Sequence, residues 1–505
     1  MNLSQPLVFF SILIIAVCGI IYELLIAAVS SYLWGDSVLY FSITIGLYMS
    51  ALGLGAFVSK FFRQALFDLF VGSEILIGLI GGCSALLLFW SYASGDWYEY
   101  ALVTVTVAIG MLVGIEIPLL IRILETQESL RRNVAHVLTY DYIGGLLGAL
   151  AFPLLLLPQL GLIRTALVLG LANLGVACLN FVRHQRLLQH FSLQLSACLG
   201  VMALLGWALW QAPELELLLE QRLYRDRVIL ARQSPYQNLT VTQWHKDIRL
   251  FINGGLQFSS LDEYRYHESL VHVPMAAAGP VKRALVLGGG DGLAARELLK
   301  YPQLEQIVLV DLDPEMTRLF RQAPLLVQLN QNSLNHARVR LVHQDAYKFA
   351  ETDQGFYDLI LIDLPDPGQT ALSKLYSLGF YELLKRRLAQ TGVLATQSTS
   401  PFFAREAFWC IHKTLQAAGF QVLPYQVDVP SFGNWGFQLA SRRALRPEHL
   451  HLQPGLPLRF LNAAVLPSLF ALPQDLRPPE RELKINTLSQ PVIVQYYDRG
   501  WSGIR

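Results

Sequence analysis

Charge is scarce in this sequence: Asp, Glu, Lys and Arg make up 15% of its 505 residues, against about 25% in an ordinary soluble domain. The net charge is only +1, which removes the electrostatic reason to expect a nucleic acid as partner. Cysteine is scarce too. The five thiols, Cys18, Cys83, Cys178, Cys198 and Cys410, show no CxxC spacing, so neither a disulfide framework nor a zinc centre is expected, and no metal is assigned. The first apolar run lacks a basic segment before it and a small-residue cleavage site after it, which excludes a secretory signal peptide.

What is abundant is apolar sequence, 53% of the chain, and it is concentrated before about residue 211. A bilayer-spanning helix needs about 20 mostly apolar residues. Seven runs qualify: 7–29, 39–59, 66–92, 99–121, 138–158, 162–182 and 195–211. Trp34, Trp97, Trp207 and Trp210 fall near run ends, where amphipathic rings favour a membrane interface. Gly46, Gly53 and Gly55 in the second run, and Gly144, Gly145 and Gly148 in the fifth, are expected to let helices approach closely. Glu23, Glu74, Glu116 and Asp141 also lie in or beside these runs. An ionised carboxylate in hydrocarbon is costly, so they are expected to face the bundle interior, as interhelical hydrogen-bonding groups or as a cation or polyamine site. Pro118, two residues after Glu116, is expected to break its helix locally. Residues 1–212 thus read as a multi-spanning domain in a lipid bilayer, the cell membrane. Lys60, Arg63, Arg122, Arg131, Arg132, Arg183 and Arg186 lie in the loops of one side, whereas the other side has Arg164 beside Asp36 and Asp96. The charge bias makes the first side cytoplasmic, and seven crossings then put the C-terminal half outside.

After residue 212 the pattern changes. Residues 213–278 read as a linker and a small β region: VILARQ (228–233), NLTVTQW (238–244) and IRLFING (248–254), with a turn at Asn253-Gly254-Gly255. Residues 279–441 alternate strand and helix. RALVLGGG (283–290) is a strand ending in glycines, DGLAARELLKY (291–301) has helical spacing, and QIVLVDLD (306–313), VRLVHQDA (339–346) and YDLILIDLPDP (357–367) are strands ending in acids. That alternation predicts an α/β Rossmann-like domain with its ligand at the carboxyl ends of a mostly parallel sheet. Asp311 follows Asp291 by 20 residues, the spacing at which a carboxylate reaches ribose hydroxyls. Glycine lets the backbone approach a nucleoside closely, so an adenosine-containing ligand is expected. Residues 442–505, Pro-rich with a final YYDRGW (496–501), read as an extension packing on the catalytic domain.

From Tyr236 to Ser441 the chain resembles the spermidine synthases. The matching pieces stand in family order: SPYQNL (234–239), INGGLQ (252–257), DEYRYHESLVHVP (262–274), ALVLGGGDG (284–292), VDLDPEM (310–316), QDAYKF (344–349), YDLILIDLPDP (357–367), LYSLGFY (375–381) and VPSFGNWGFQLAS (429–441). The apolar N-terminal half is similar to that of the membrane-fused branch of the family. The resemblance implies an aminopropyltransferase that moves an aminopropyl group from decarboxylated S-adenosylmethionine, a co-substrate, to a diamine such as putrescine. The products would be spermidine and methylthioadenosine, with no prosthetic group. By the same resemblance Gln237 contacts the nucleoside or its sulfur end, and His267 lines the polyamine site. Asp291 holds the donor ammonium, Asp311 the ribose, and Asp345 with the backbone of Ala346 the adenine. Asp363 accepts the proton and Asp366 seats the diamine. A homo-oligomer through the β region is implied as well.

The chemistry is consistent with these acids. A sulfonium leaving group needs no metal or nucleophilic serine, and the attacking ammonium must lose a proton to a neighbouring carboxylate. Asp291 would repel the carboxylate of the methyl donor S-adenosylmethionine but attract the ammonium of the decarboxylated form, which argues against methyl transfer. Leu364-Pro365 and Gly368-Gln369-Thr370 around the second acid depart from the family's small polar residues and Ile-Gly-Pro run, leaving the acceptor's identity open. Tyr264 and Trp435 are candidates to line the aliphatic part of a polyamine, or for the core. The alternative reading is a polyamine transporter or sensor whose synthase-like domain only binds. The donor's cytoplasmic origin places the catalytic half inside, opposite to the loop charges.

Overall fold

The computed structural model describes residues 5–34, 37–95, 97–125 and 129–502; Asp36 and Asp96 lie outside them. The chain divides into two compact units, Met1–Pro235 and Tyr236–Arg505.

The first unit consists of helices α1 (Gln5–Trp34), α2 (Ser37–Ser59), α3 (Leu66–Ala93), α4 (Tyr98–Leu124), α5 (Leu130–Ala151), α6 (Leu157–His184), α7 (Phe191–Trp210) and α8 (Ala212–Leu223), then strand β1 (Arg227–Gln233). By length and composition, six helical stretches among the described residues could cross a membrane. The sequence predicts seven spans. The difference lies at 138–158 and 162–182, which join into one run, Leu130–Leu187, of 58 residues. At about 1.5 Å per residue that run is long enough to cross twice. A π-helical turn, Phe152–Leu156, links α5 to α6. Pro153 and Pro158 supply no N–H to the helical ladder there. Gly161 alone departs from helical geometry, at φ 72° and ψ −174°.

α1 buries Ile21, Tyr22, Leu25 and Ile26 completely. Outward faces elsewhere remain apolar, with Leu54, Leu146, Val182 and Leu193 exposed. A helix that is apolar all round cannot be satisfied by a water-facing surface. Close packing uses some of the predicted glycines and not others. A side chain at Gly55 would come within 2.1 Å of the Met111 carbonyl oxygen, and Gly144 and Gly148 are pressed on α1, whereas Gly46, Gly53 and Gly145 face open space. Gly114, which the sequence did not single out, is equally tight against Leu52.

The helix α4 runs unbroken through Pro118. The residue one turn earlier, whose carbonyl the proline ring crowds, is Gly114. The Arg122 guanidinium donates to the carbonyls of Phe62 and Ser59, both at 2.8 Å, satisfying oxygens at the end of α2. The Asp68 carboxylate likewise accepts from the backbone N–H groups of Gln189 and His190 just ahead of α7, where the helix dipole favours an anion. Glu74 on α3 and Glu116 on α4 are fully buried and face each other. Glu23 is buried and Asp141 half-buried.

In the second unit, β2 (Asn238–Trp244), β3 (Asp247–Ile252) and β4 (Gly255–Ser259) form an antiparallel meander. Asn253 and Gly254, at φ 48° and 80°, make the tight hairpin turn that the Asn-Gly pair predicts. Helix α9 (Glu263–Ala277) leads into a seven-stranded sheet of β5 (Arg283–Gly288), β6 (Gln306–Asp311), β7 (Val339–His343), β8 (Tyr357–Asp363), β9 (Leu388–Gln397), β10 (Gln421–Val429) and β11 (Gly433–Ser441). The order is β10-β11-β9-β8-β5-β6-β7. The strands from β5 to β9 pair in parallel, and β11 pairs antiparallel with both β9 and β10. Ala284, Leu285, Val286 and Leu287 of central β5 are completely buried, as expected of a strand covered on both faces. Short helices α10 (Leu293–Leu298) and α11 (Pro314–Gln322) follow β5 and β6. The chain turns one way from β5 to β6 and returns on the other side as β8, so the switch point lies between β5 and β8.

The segment after β11 is fastened to this domain. Glu268 of α9, buried, accepts from the backbone N–H groups of Arg459, Phe460 and Leu461 at 2.7 to 2.9 Å. The indole of Trp409 donates to Leu476. Ile493 and Tyr496 of the terminal helix Val492–Trp501 enter the same core as Phe408 and Ile411.

Candidate active site

The glycine turn after β5 is built for close approach. Gly288 and Gly289 take φ 83° and 64°, a region that disfavours any side chain. A Cβ on Gly288 would also fall 2.0 Å from the carbonyl oxygen of Asp363. Gly288 is paired with Asp363 across β5 and β8, and Gly289 N–H donates to the Asp363 carbonyl at 3.1 Å. The last residue of β8 is thereby fixed beside the glycine turn, at the switch point.

Four predicted acids end up at the carboxyl edge of β5, β6 and β8. Asp291 follows the glycines, and its carboxylate accepts from Leu293 N–H at 2.8 Å. Asp311 ends β6 and accepts from Gly290 N–H at 3.0 Å and Asp313 N–H at 2.8 Å. Each oxygen of Asp311 thus keeps a lone pair for a hydroxyl donor. Asp363 accepts from the Tyr266 hydroxyl at 2.6 Å. Asp366 accepts from Thr399 Oγ1 at 3.0 Å, from Gln397 Nε2 at 3.3 Å and from the Tyr497 hydroxyl. Burial raises all four above the usual carboxylate range, against the pull of these donors: Asp291, Asp311 and Asp366 to about 6, and Asp363 upward as well. For Asp291 the neighbouring Asp363 adds to the rise. Carboxyls perturbed in this way and grouped in one cleft are characteristic of functional sites.

His267 is 3% exposed. Its Nδ1 lies 2.8 Å from a Glu263 oxygen, and Arg296 donates to both Glu263 oxygens at 2.9 Å. Burial alone would lower the imidazole, but Glu263, then Asp291 and Asp363, raise it to about 9, so it is a cation at neutral pH. Arg296 also donates to Glu297, which meets His272 at 2.8 Å.

The remaining predicted residues flank this group. Gln237 Nε2 donates to Asp313 at 3.0 Å, and Asp313 caps α11 through Glu315 N–H. Asp345 follows β7 and caps the helix Ala346–Thr352 by accepting from Lys348 N–H. Burial would raise this carboxyl, but Lys374 at 2.7 Å and the backbone donors bring it below its usual value. Ala346 is the first residue of that helix, where backbone N–H groups have no intrahelical acceptor. Tyr264 instead lies under the Arg459 guanidinium, 3.7 Å from its ring centre. Trp435 packs on Phe432.

Sequence reasoning passed over Tyr266, Gln397, Thr399 and Tyr497. Tyr266 is adjacent to His267 in a segment already singled out, so it was within reach. Gln397 ends β9 and Thr399 follows it two residues later, neither with any pattern of its own. Tyr497 belongs to YYDRGW, noticed only as an aromatic cluster.

Residues 263–448 match the Spermine/spermidine synthase domain. The chain is 42% identical to a polyamine aminopropyltransferase of Leptospira interrogans, over 99% of each chain. It is 44% identical to polyamine aminopropyltransferase 2 of Ralstonia nicotianae, over the whole of both. The solved spermidine synthase of Thermotoga maritima is 25% identical, covering 49% of this chain and 84% of its own, with a TM-score of 0.45. The chain belongs to the spermine/spermidine synthase family, and it is a polyamine aminopropyltransferase.

Proposed function

We propose that this enzyme transfers the aminopropyl group of decarboxylated S-adenosylmethionine to putrescine, giving spermidine and methylthioadenosine, from a catalytic unit carried by a membrane bundle. The observation that carries this reading is the set of four hydrogen-bonded carboxylates around the β5–β8 switch point. A diamine and a sulfonium donor with a terminal ammonium bring several positive charges and no negative one, and such a set complements them.

In this reading Asp311 takes the ribose hydroxyls with its free lone pairs. Asp345 and the Ala346 N–H take the adenine, Gln237 lies along the nucleoside, and Asp291 holds the ammonium of the donor. Asp366 seats the far ammonium of the diamine. Asp363 accepts the proton from the attacking amine. Its nitrogen forms the new N–C bond as the C–S bond breaks, and sulfur keeps the electron pair and leaves as neutral methylthioadenosine. Tyr266 orients Asp363. His267, buried on Glu263, works from behind by favouring the ionised forms of Asp291 and Asp363, in place of direct contact with the polyamine.

The proposal that the first unit crosses the bilayer is supported by its six long apolar stretches and by apolar side chains on its outward faces. Retention in the pellet of alkaline-washed membranes is the expected result, and release into the wash would refute it. For the reaction, the purified protein incubated with the donor and a set of diamines is expected to give methylthioadenosine and the aminopropylated product of putrescine by mass spectrometry. A folded protein that binds the donor and turns over no diamine would overturn the reading.

A further inference from the structure

We propose that the terminal helix Val492–Trp501, which lies outside the matched synthase domain, supplies a positioning residue for the diamine: Tyr497 holds Asp366 through its hydroxyl and lays its ring over Gly368. The proposal rests on the reading of Asp366 as the seat of a diamine's terminal ammonium.

Three segments converge on the Asp366 carboxylate: the end of β9, the residues just after it, and the terminal helix. Gln397 Nε2 is shared: it also donates to the Leu364 carbonyl and to the Tyr376 hydroxyl, both at 2.6 Å, and its reach to Asp366 is a long 3.3 Å. Thr399 donates at 3.0 Å from a backbone held at φ 58°. The Tyr497 hydroxyl supplies the third bond and favours the ionised carboxylate. Its ring fixes the backbone beside that carboxylate. A Cβ on Gly368 would lie 2.9 Å from Tyr497 Cε1, yet Gly368 is not among the glycines with positive φ. The glycine is therefore required by the tyrosine and not by the turn.

The helix that presents Tyr497 is itself held in place. Trp501 packs on Phe403 at 5.0 Å between ring centres. A side chain on Gly500 would meet the Phe403 carbonyl oxygen at 2.5 Å. Ile493 and Tyr496 are buried in the domain core. A ring so constrained can hold a carboxylate to one geometry, and a flexible ammonium chain bound to it inherits that geometry. The extension thus acts on acceptor binding and leaves the donor's contacts alone.

Tyr497→Phe keeps the ring and removes only the hydroxyl. The expected result is a KM for putrescine raised about fivefold or more with the donor KM within about twofold of wild type. The acid limb of kcat/KM for putrescine should also move to higher pH, because a lost donor disfavours the ionised Asp366. Gly368→Ala, which displaces the ring from the opposite side, should raise the same KM and spare the donor. Wild-type putrescine KM and an unmoved acid limb in Tyr497→Phe, alongside an Asp366→Asn variant that loses putrescine binding, would overturn the role of Tyr497 and leave that of Asp366 standing. An Asp366→Asn variant with wild-type putrescine KM would overturn both.

Discussion

Both units bury carboxylates, but they treat them differently. In the bundle, Glu74 and Glu116 face each other, fully buried, and neither has a basic partner among the described residues. In the second unit the acids stand at strand ends, each with at least one donor: Leu293 N–H for Asp291, Gly290 and Asp313 N–H for Asp311, Tyr266 for Asp363, and Thr399 for Asp366. Burial alone therefore does not define a site. What distinguishes the second set is a backbone and a shell of hydroxyls that orient each carboxylate while leaving lone pairs free for a ligand.

The contrast can be broken most sharply at Asp363. Asp363→Asn is expected to lower kcat by about 10²- to 10⁴-fold while donor binding, read by calorimetry, persists. Turnover within tenfold of wild type would remove the carboxylate's role as base. Next is the charge network behind the site. Arg296→Met takes the guanidinium from Glu263 and Glu297, leaving His267 to the first and His272 and Lys300 to the second, and should destabilise the second unit by about 2–3 kcal/mol in urea denaturation. A loss under about 1 kcal/mol would mean that water replaces the guanidinium. A smaller effect is expected from pH. Asp291, Asp311 and Asp366 take up protons as pH falls through about 6, and each protonation removes attraction for a cationic substrate. The kcat/KM for putrescine should then fall about tenfold or more between pH 7 and pH 5, and a flat profile over that window would contradict the raised values. The smallest effect belongs to the bundle. Glu116→Gln should leave methylthioadenosine formation within about twofold of wild type, since nothing in the proposed chemistry uses that carboxyl. A tenfold loss would join the two sets of acids that the comparison separates.

Much of the site was legible because parallel strands place their last residues at one edge. The glycines after β5 and the acids after β6, β7 and β8 could be read as neighbours from strand endings alone. The meander turn at Asn253-Gly254 was legible for a local reason, the left-handed backbone that this pair tolerates. His267, expected to line the polyamine site, is buried against Glu263, which is held in turn by Arg296, 33 residues beyond that glutamate. Seven apolar runs were visible, and the boundary between 138–158 and 162–182 falls where the backbone leaves helical geometry, at Gly161; the π-helical turn Phe152–Leu156 ahead of it had no signal of its own.

By itself the sequence determined the two-part organisation, the Rossmann-like order of strands and helices, and the carboxylates that gather at the strand ends. These follow from local periodicity and from short motifs, which a chain carries wherever it folds. Tertiary structure alone decided which donors hold each acid, which glycines are close-packed, and that the last helix returns to the catalytic loop. Those contacts join residues separated by up to 131 positions, Asp366 to Tyr497 being the longest at the site, and no local pattern encodes a partner that far away.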